Sequence, residues 1–263
     1  MPIRVTELSD ARLEPYRNLK DRELAAMGGK FIAEGEHLVR RLNASEYAIE
    51  SVLMSDRRVE EMEPVIRAGV PVYVVEEALM REVIGYKFHS GIIACGLRGS
   101  PRGIDEVMGE LKGEQITLVV CPEIANAENL GSIIRLSAGF GVDALVLGER
   151  CTDPWFRQTV RVSMGTIFKM PIAQCTDLLG DLRRLREKWG VESIATVLDE
   201  SAENLKSVAR KKRTALLLGN EAQGLSSAEI AACDRKVTIP MKKGTDSLNV
   251  AVAAGIFLYH FTL

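Results

Sequence analysis

The chain has 263 residues, of which 46% are hydrophobic and 27% charged, a composition typical of soluble globular proteins with one large or two ordinary domains. Its formal net charge of −2 gives no support for binding nucleic acid through overall charge, so such binding would depend on local clusters. No apolar run is long enough to span a membrane, and the opening MPIRVTELSD lacks the apolar core of a signal peptide.

The cysteines and histidines give no sign of a metal site. The five cysteines are scattered without a CxxC spacing, and the three histidines are far apart in the sequence. This pattern favours neither a zinc site nor a disulfide framework, so we predict a protein without metal. The expected location is the reducing cytoplasm.

The first hundred residues are predicted to form a small α/β domain. Apolar and β-branched runs predict strands at 30–35, 47–54, 70–75 and 91–97. Helical spacing of apolar residues predicts helices at 21–27, 36–42, 59–67 and 76–84. Strands that alternate with helices are typical of a layered α/β structure.

A linker is predicted after this domain. Residues 98–114 are rich in glycine, proline and charge and leave room for only one or two helical turns. We therefore predict a first domain over 1–98, a linker over 99–114 and a second domain over 115–263.

The second domain opens with ITLVVC at 116–121, a continuous apolar run typical of a central parallel strand. A helix over 129–140 and a strand over 144–147 complete a predicted βαβ unit. The loop before the helix contains Asn126 and Asn129. Arg135 is the one charged residue of the helix, and an arginine among apolar positions needs an anionic partner or must extend to solvent.

The elements that follow continue the α/β pattern. Helices are predicted at 157–164 and 178–189, and strands at 166–172, 192–198 and 214–218. The basic run RKKR at 210–213 precedes the last of these strands. It is consistent with a solvated turn or with an edge that contacts phosphate, and both interpretations stay open.

The C-terminal stretch has a strand, a polar turn and a long apolar helix. The strand ends at Pro240, which lacks a backbone donor, and a glycine-containing loop follows. Ser247 is predicted to open the helix as its N-cap.

Three loops share one design, at 126–131, 219–224 and 241–249. Each is rich in asparagine or glycine and follows an apolar strand, which is where open α/β sheets bind ligands. The dinucleotide pattern GxGxxG and the Walker A pattern are both missing from the sequence, so a dinucleotide-dependent enzyme is disfavoured.

The sequences NAENLGSIIR, LGNEAQGL and IPMKKGTDSLNVAVAA resemble, in order and spacing, the three motifs of the SpoU/TrmH family of RNA ribose 2′-O-methyltransferases, in the SPOUT class. The resemblance covers residues 115–263. The run KFIAEGEHLV in the first domain resembles an L30e-like RNA substrate-binding domain that is often fused ahead of such enzymes.

The resemblance implies an α/β fold with a C-terminal SPOUT α/β-knot, preceded by the small L30e-like α/β domain. The knot is a deep trefoil in a mainly parallel sheet, a topology otherwise nearly absent from proteins. Members of the family are homodimers that associate through the knot region, where the partner completes each active site.

The resemblance also implies that S-adenosyl-L-methionine binds in the knot, held largely by the backbone of three loops. The implied cofactor-binding residues are Thr196, Val197, Leu198, Gly219, Asn220, Glu221, Gly224, Ile239, Pro240, Met241, Ser247 and Leu248.

The catalytic residues implied by the resemblance are Arg135, Asn129, Glu221, Ser247 and Asn249. Methyl transfer from a sulfonium to a hydroxyl is an in-line displacement that requires positioning and alkoxide stabilisation rather than a metal. Arg135 matches the arginine to which the family assigns hydroxyl activation. Because arginine stays protonated in proteins, we interpret Arg135 as a donor to the developing alkoxide or an adjacent phosphate.

The other implied residues have positioning roles. Asn129, Ser247 and Asn249 are expected to hold the ribose and the third loop. Glu221 either pairs with Arg135 or accepts hydrogen bonds from backbone amides, and the sequence leaves both open.

The sequence thus predicts an S-adenosylmethionine-dependent RNA 2′-O-methyltransferase that acts on ribosomal RNA in preference to tRNA, with no membrane partner. The preference for ribosomal RNA rests on analogy with the family. The alternatives are a tRNA 2′-O-methyltransferase and a non-catalytic knotted RNA-binding protein.

Overall fold

The computed structural model describes residues 2–17, 21–86, 88–242 and 247–262. The strands are β1 (Ile3–Arg4), β2 (Lys30–Glu34), β3 (Ala48–Ser55), β4 (Val72–Val75), β5 (Ile92–Leu97), β6 (Ile116–Cys121), β7 (Ala144–Leu147), β8 (Ile172–Gln174), β9 (Glu192–Thr196), β10 (Glu203–Asn204), β11 (Arg213–Leu217) and β12 (Arg235–Thr238). The helices are α1 (Asp21–Ala26), α2 (Glu36–Asn43), α3 (Val59–Met62), α4 (Glu77–Ile84), α5 (Ile104–Glu110), α6 (Ala127–Gly139), α7 (Arg157–Val162), α8 (Leu178–Trp189), α9 (Ser227–Ala232) and α10 (Val250–Thr262).

The chain divides into two compact units. The first unit contains Met1–Ser100 together with Pro154–Lys169, and the second contains Pro101–Asp153 together with Met170–Leu263.

The first unit is built on a five-stranded sheet in the order β1-β4-β3-β5-β2. Strands β1, β4 and β3 run parallel, whereas β5 runs antiparallel to both β3 and β2. The four strands predicted in this region are confirmed. The helix predicted over 59–67 is shorter, because α3 ends at Met62 and a 3₁₀ turn follows over Glu63–Val65. Pro64 cannot donate the backbone hydrogen bond that would continue an α-helix.

The segment Pro154–Lys169 contributes aromatic side chains to the first unit. The ring of Phe31 lies 4.7 Å from that of Trp155 and 5.8 Å from that of Phe168, measured between centroids. Tyr47 packs edge-on against Trp155 at 4.9 Å. This aromatic cluster ties a distant stretch of sequence to strand β2, which carries Phe31.

The strand predicted over 166–172 is wrong for most of its length. Thr166–Lys169 forms a 3₁₀ helix, and the strand occupies Ile172–Gln174. Both Met164 and Gly165 have positive φ, at 53° and 75°, so the backbone turns just before the predicted strand begins. The β-branched residues of 166–172 favour a strand by their local propensity, but the preceding turn overrides that propensity.

The second unit is built on a seven-stranded parallel sheet in the order β10-β12-β9-β11-β6-β7-β8. All residues of the apolar strand Ile116–Cys121 are buried, as expected for a strand covered on both faces. The mixed α/β architecture with a parallel sheet agrees with the predicted fold class. Helix α8 forms over the predicted range Leu178–Trp189.

Helix α10 begins later than the sequence indicates, at Val250. The side-chain oxygen of Asn249 accepts hydrogen bonds from the N–H groups of Ala251, at 2.9 Å, and Val252, at 3.3 Å. Asn249 therefore satisfies the amide donors of the first turn, and the prediction that Ser247 caps this helix is wrong. Helix α10 packs against α6.

Two further features concern the described residues only. None of their helices is both long and apolar enough to cross a membrane. No group of three or more His, Cys, Asp or Glu side chains among them could hold a metal ion.

We predict that Gly96→Ala destabilises the first unit by about 1–3 kcal/mol, because an added methyl group overpacks a filled core. A Cβ at this position would lie 2.7 Å from Cε1 of Phe31, whose side chain is 1% exposed and has no room to retreat. Chemical denaturation of the intact protein measures the loss.

Gly99→Ala is the matched control in the same unit. No atom lies within 4 Å of a Cβ built at Gly99, so this change should alter the free energy of unfolding by less than about 0.5 kcal/mol. Equal effects of the two substitutions would contradict the packing argument.

Candidate functional site

The carboxyl ends of three neighbouring strands meet at one edge of the seven-stranded sheet. Strand β9 lies between β12 and β11, and all three run parallel. Thr196 is in register with Val237, and Leu217 with Ala195, so the strands end at nearly the same level. Thr196 is the last residue of β9, and the loops that follow the three strands include all other predicted cofactor-binding residues except Ser247 and Leu248, at the edge where parallel sheets bind ligands.

Glu221 joins the first two predicted motifs. Its carboxylate accepts hydrogen bonds from the backbone N–H of Asn126, at 3.1 Å, and of Ala125, at 3.3 Å. It also accepts one from Nδ2 of Asn129, at 2.9 Å. Of the two roles that the sequence left open for Glu221, the structure therefore shows the bonding to backbone amides and no ion pair with Arg135.

Asn129 extends this connection to the third motif. Its Oδ1 accepts a hydrogen bond of 3.0 Å from Nδ2 of Asn249, whose own Oδ1 caps helix α10. Glu221, Asn129 and Asn249 thus form a continuous chain of side-chain hydrogen bonds. We call these three residues the motif network.

The hydrogen bonds set the charge state of Glu221. Burial works against its ionised form, but the bonds from Asn129 and from the backbone amides of Asn126 and Ala125 outweigh that effect and lower the pKa of Glu221. The carboxylate is therefore ionised at neutral pH and acts only as an acceptor.

The second loop closes on itself. Asn220 and Gly224 exchange two backbone hydrogen bonds, of 2.9 and 3.0 Å. Oδ1 of Asn220 accepts from the N–H groups of Ala222 and Gln223 across the turn. Gly219 must stay a glycine, because a Cβ there would lie 2.5 Å from the carbonyl carbon of Gly224. The loop is therefore compact and holds Glu221 in one position.

Arg135 and Ser247 do not belong to the motif network. Arg135 is exposed on α6, where it makes no ion pair or hydrogen bond with any residue that the structure describes. Ser247 is exposed, and its hydroxyl likewise has no hydrogen-bond partner within the described ranges. Residues 243–246, in the middle of the third predicted loop, lie outside the described residues.

Two residues that support the first loop, Asn126 and Cys151, were not among the predicted site residues. Asn126 is the N-cap of α6, accepting from the N–H of Glu128 at 2.7 Å, so the helix starts at Ala127 rather than at 129. Cys151 donates to the carbonyl of Cys121 and accepts from the N–H of Ile124. Burial raises the pKa of Cys151 to about 11, so it is a neutral packing residue. The N-cap role of an asparagine before a helix can be predicted from sequence, whereas nothing in the sequence indicates the role of Cys151.

The backbone at this edge fits a ligand held by main-chain groups. Within the described ranges, no hydrogen-bond acceptor faces the N–H groups of Leu198, Gly219 and Ile239, which follow β9, β11 and β12 respectively. Leu198 is 66% exposed, so one wall of this edge is apolar and accessible. Unpaired donors beside an apolar surface suit a cofactor with a polar amino-acid end and an adenosyl group.

Comparison with known proteins gives consistent matches over both units. Residues 116–259 match the SpoU rRNA Methylase family, and residues 12–94 match the MRM3-like substrate binding domain.

Relatives match along nearly the whole chain. A protein of Mycobacterium bovis named an uncharacterized tRNA/rRNA methyltransferase is 36% identical, over 98% of this chain and 91% of its own length. A 23S rRNA guanosine 2′-O-methyltransferase of Bacillus subtilis is 24% identical, over 97% of this chain and 98% of its own.

Among solved structures, an rRNA methyltransferase from Sinorhizobium meliloti with bound AdoMet is 27% identical and superimposes with a TM-score of 0.84. That match covers 98% of this chain and 96% of the other.

We predict that Glu221→Gln lowers the stability of the protein by about 1 kcal/mol at neutral pH, a value discounted for the exposure of the site. An amide has one acceptor oxygen where the carboxylate has two, so at least one of the three N–H donors loses its partner. Thermal unfolding without cofactor measures the effect.

The pH dependence gives this prediction a definite sign. Because the pKa of Glu221 is lowered in the folded protein, its contribution is complete above its unfolded-state pKa and is lost as pH falls through the folded-state pKa. The difference between wild type and variant should therefore shrink in acid. Glu200→Gln, at an exposed glutamate without a contact among the described residues, is the matched control and should leave stability unchanged. A pH-independent difference would contradict the charge assignment.

Proposed function

The chain belongs to the SpoU rRNA methylase family, and from this premise we propose that it transfers a methyl group from S-adenosylmethionine to a ribose 2′-hydroxyl of ribosomal RNA. The observation that carries the proposal is the motif network, which links three loops of the family pattern at the ligand-binding edge of a parallel sheet.

Ribosomal RNA is the substrate that the relatives favour. Two proteins similar over most of this chain, from Bacillus subtilis and Bordetella pertussis, are named 23S rRNA guanosine 2′-O-methyltransferases. The match of residues 12–94 to a substrate binding domain supports an RNA-recognition role for the first unit. We accordingly place the protein in the cytoplasm, with the ribosome.

We assign cofactor binding to Thr196 at the end of β9 and to the loops that follow β9, β11 and β12, together with Ser247 and Leu248. S-adenosylmethionine, when bound, supplies a methyl group activated by its sulfonium centre. The N–H groups of Leu198, Gly219 and Ile239 are available to bind its polar atoms, and the exposed side chain of Leu198 can cover apolar ones.

We assign Arg135 the role of hydrogen-bond donor to the ribose 2′-oxygen as that oxygen loses its proton. It carries a permanent charge and has no anionic partner among the described residues, so it is free to interact with an alkoxide or a phosphate. Asn129 and Asn249 are positioning residues, since the motif network already uses their amide groups. The hydroxyl of Ser247 can contact the ribose.

We propose that the protein is a homodimer that associates through the knot region, including α10. Val252, Ile256 and Tyr259 are 53%, 39% and 64% exposed and recur along one face of this helix. An exposed apolar stripe of this kind is typical of an association surface. The trefoil knot itself stays a prediction from the family.

We predict that Arg135→Ala lowers the single-turnover rate of RNA methylation by about a hundredfold or more, because its main contribution arises as the alkoxide develops. Cofactor affinity and melting temperature should stay unchanged, since Arg135 contacts neither the cofactor loops nor a carboxylate among the described residues. Incorporation of labelled methyl groups into unmodified ribosomal RNA and tRNA measures both rate and substrate.

Arg183→Ala, at an exposed arginine of α8 that also lacks a contact within the described ranges, is the matched control and should retain full activity. Loss of stability and cofactor binding in Arg135→Ala would make Arg135 a scaffold residue. Binding of RNA without any methyl incorporation by wild type would favour the non-catalytic alternative, and preferential labelling of tRNA would overturn the proposed substrate.

We predict that Ile256→Asp converts the dimer to monomers, because a carboxylate in an apolar interface is desolvated without a partner. Light scattering at micromolar concentration should show half the mass of wild type. Leu179→Asp is the matched control, since Leu179 is 40% exposed against 39% for Ile256 but lies on α8. A wild-type monomer, or equal effects of the two changes, would contradict association through α10.

A further inference from the structure

A cavity of about 620 Å³ opens at the amino-terminal edge of the seven-stranded sheet. It is lined by Glu114, Trp189, Gly190, Lys211, Lys212 and Arg213. The cavity is wide open to solvent, and its lining combines three cations, one carboxylate and an indole.

The cavity is far from the loops assigned to methyl transfer. Arg213 is the first residue of β11 and is in register with Ile116, the first residue of β6, whereas the methyl-transfer loops follow the last residues of the strands. Five residues of β-strand span about 17 Å, so the two edges cannot share one small ligand.

The cations of this cavity are held in different ways. Lys211, although 69% exposed, lies 2.9 Å from the carboxylate of Glu192, which is buried, and so this lysine balances a buried charge. Arg213 donates to the backbone carbonyl of Trp189 at 2.9 Å. Among the residues that the structure describes, Lys212 pairs only with Glu114, and both side chains are largely exposed, at 72% and 82%. An exposed pair of this kind contributes little to stability, so Lys212 can exchange its partner for a phosphate.

The indole of Trp189 is held in a defined orientation. Its Nε1–H donates to Asp105 at 2.9 Å, and that hydrogen bond lowers the pKa of the Asp105 carboxyl. Nζ of Lys188 lies 5.1 Å from the ring centroid. A half-buried and oriented aromatic ring next to cations is the combination on which proteins stack nucleobases while binding the adjacent phosphate.

We infer that this cavity binds a nucleotide of single-stranded RNA, with the base on Trp189 and a phosphate on Lys212. The inference rests on the proposed RNA substrate and adds a second contact to it, at the opposite edge of the sheet from the methyl-transfer loops. Arg210, half-buried beside the cavity, donates from its guanidinium to the backbone carbonyls of Phe261 and Lys211, and its positive charge extends the basic surface beyond the cavity, as a continuing phosphate backbone requires and a free nucleotide does not. This use of the run RKKR is the phosphate-contacting interpretation that the sequence left open.

Tryptophan fluorescence tests stacking directly, because the chain contains only two tryptophans. In full-length Trp155→Phe protein, Trp189 is the one remaining indole. A short unstructured oligoribonucleotide should quench its emission at a lower concentration than adenosine monophosphate, and inorganic phosphate should not quench it. Absence of quenching by the oligonucleotide would overturn the proposal. Equal potency of the mononucleotide would make the cavity a site for free nucleotides and would overturn the RNA assignment.

Lys212→Ala tests the phosphate contact. It should weaken binding of the oligoribonucleotide on the order of fivefold and reduce the salt dependence of binding by about one phosphate contact. Cofactor affinity and the methylation rate at saturating RNA should stay at the wild-type values, because the cavity lies away from the methyl-transfer loops.

Lys206→Ala is the matched control, since Lys206 is an exposed lysine outside the cavity lining. Wild-type RNA affinity in Lys212→Ala, with methylation of RNA intact, would overturn this site and leave the proposed function standing. Failure of the wild-type protein to methylate any RNA would instead overturn the proposed function, and the fluorescence titration would still report on the cavity.

Discussion

The carboxylate of Glu221 is the constraint on which the candidate site depends. It accepts three N–H donors from a loop that lies about a hundred residues earlier in the chain, and one of them, Asn129, holds Asn249 in turn. Charge-assisted hydrogen bonds are stronger than neutral ones, and a network of this kind polarises its members. Three loops that are distant in sequence are thereby held at one edge of the sheet.

The motif network distinguishes the residues that support the site from the residues that are available for chemistry. The residues that hold the loops together have used their hydrogen-bonding groups on one another, whereas Arg135 and Ser247 have no partner among the described residues. Groups without an internal partner are the ones available to a substrate, and a preorganised frame keeps them in place during reaction. We therefore expect substitutions in the network to act through stability, and substitution of Arg135 to act through rate.

The parallel sheet of the second unit presents two chemically different edges. At the carboxyl ends of its strands, compact loops display backbone donors, and Leu198 adds an exposed apolar side chain. At the amino ends, basic side chains surround Trp189. All strands of this sheet run in the same direction. The loops that precede the strands therefore lie at one edge and the loops that follow them lie at the other, so the two sets of loops can serve different functions. An extended RNA can contact both edges, whereas a small cofactor can occupy only one.

The sequence by itself determined the class of fold, most strands, and the identity of the loops in the site. Parallel strands that are buried on both faces, such as Ile116–Cys121, are nearly continuous apolar runs, so the sequence alone identifies them. Tertiary structure alone decided three matters. The turn at Met164 and Gly165 replaced the strand predicted at 166–172. Asn249 rather than Ser247 capped α10, and Glu221 bonded to amides rather than to Arg135. Two of these choices rest on contacts between residues far apart in sequence, because Asn129 holds Asn249 and the backbone amides of Ala125 and Asn126 hold Glu221.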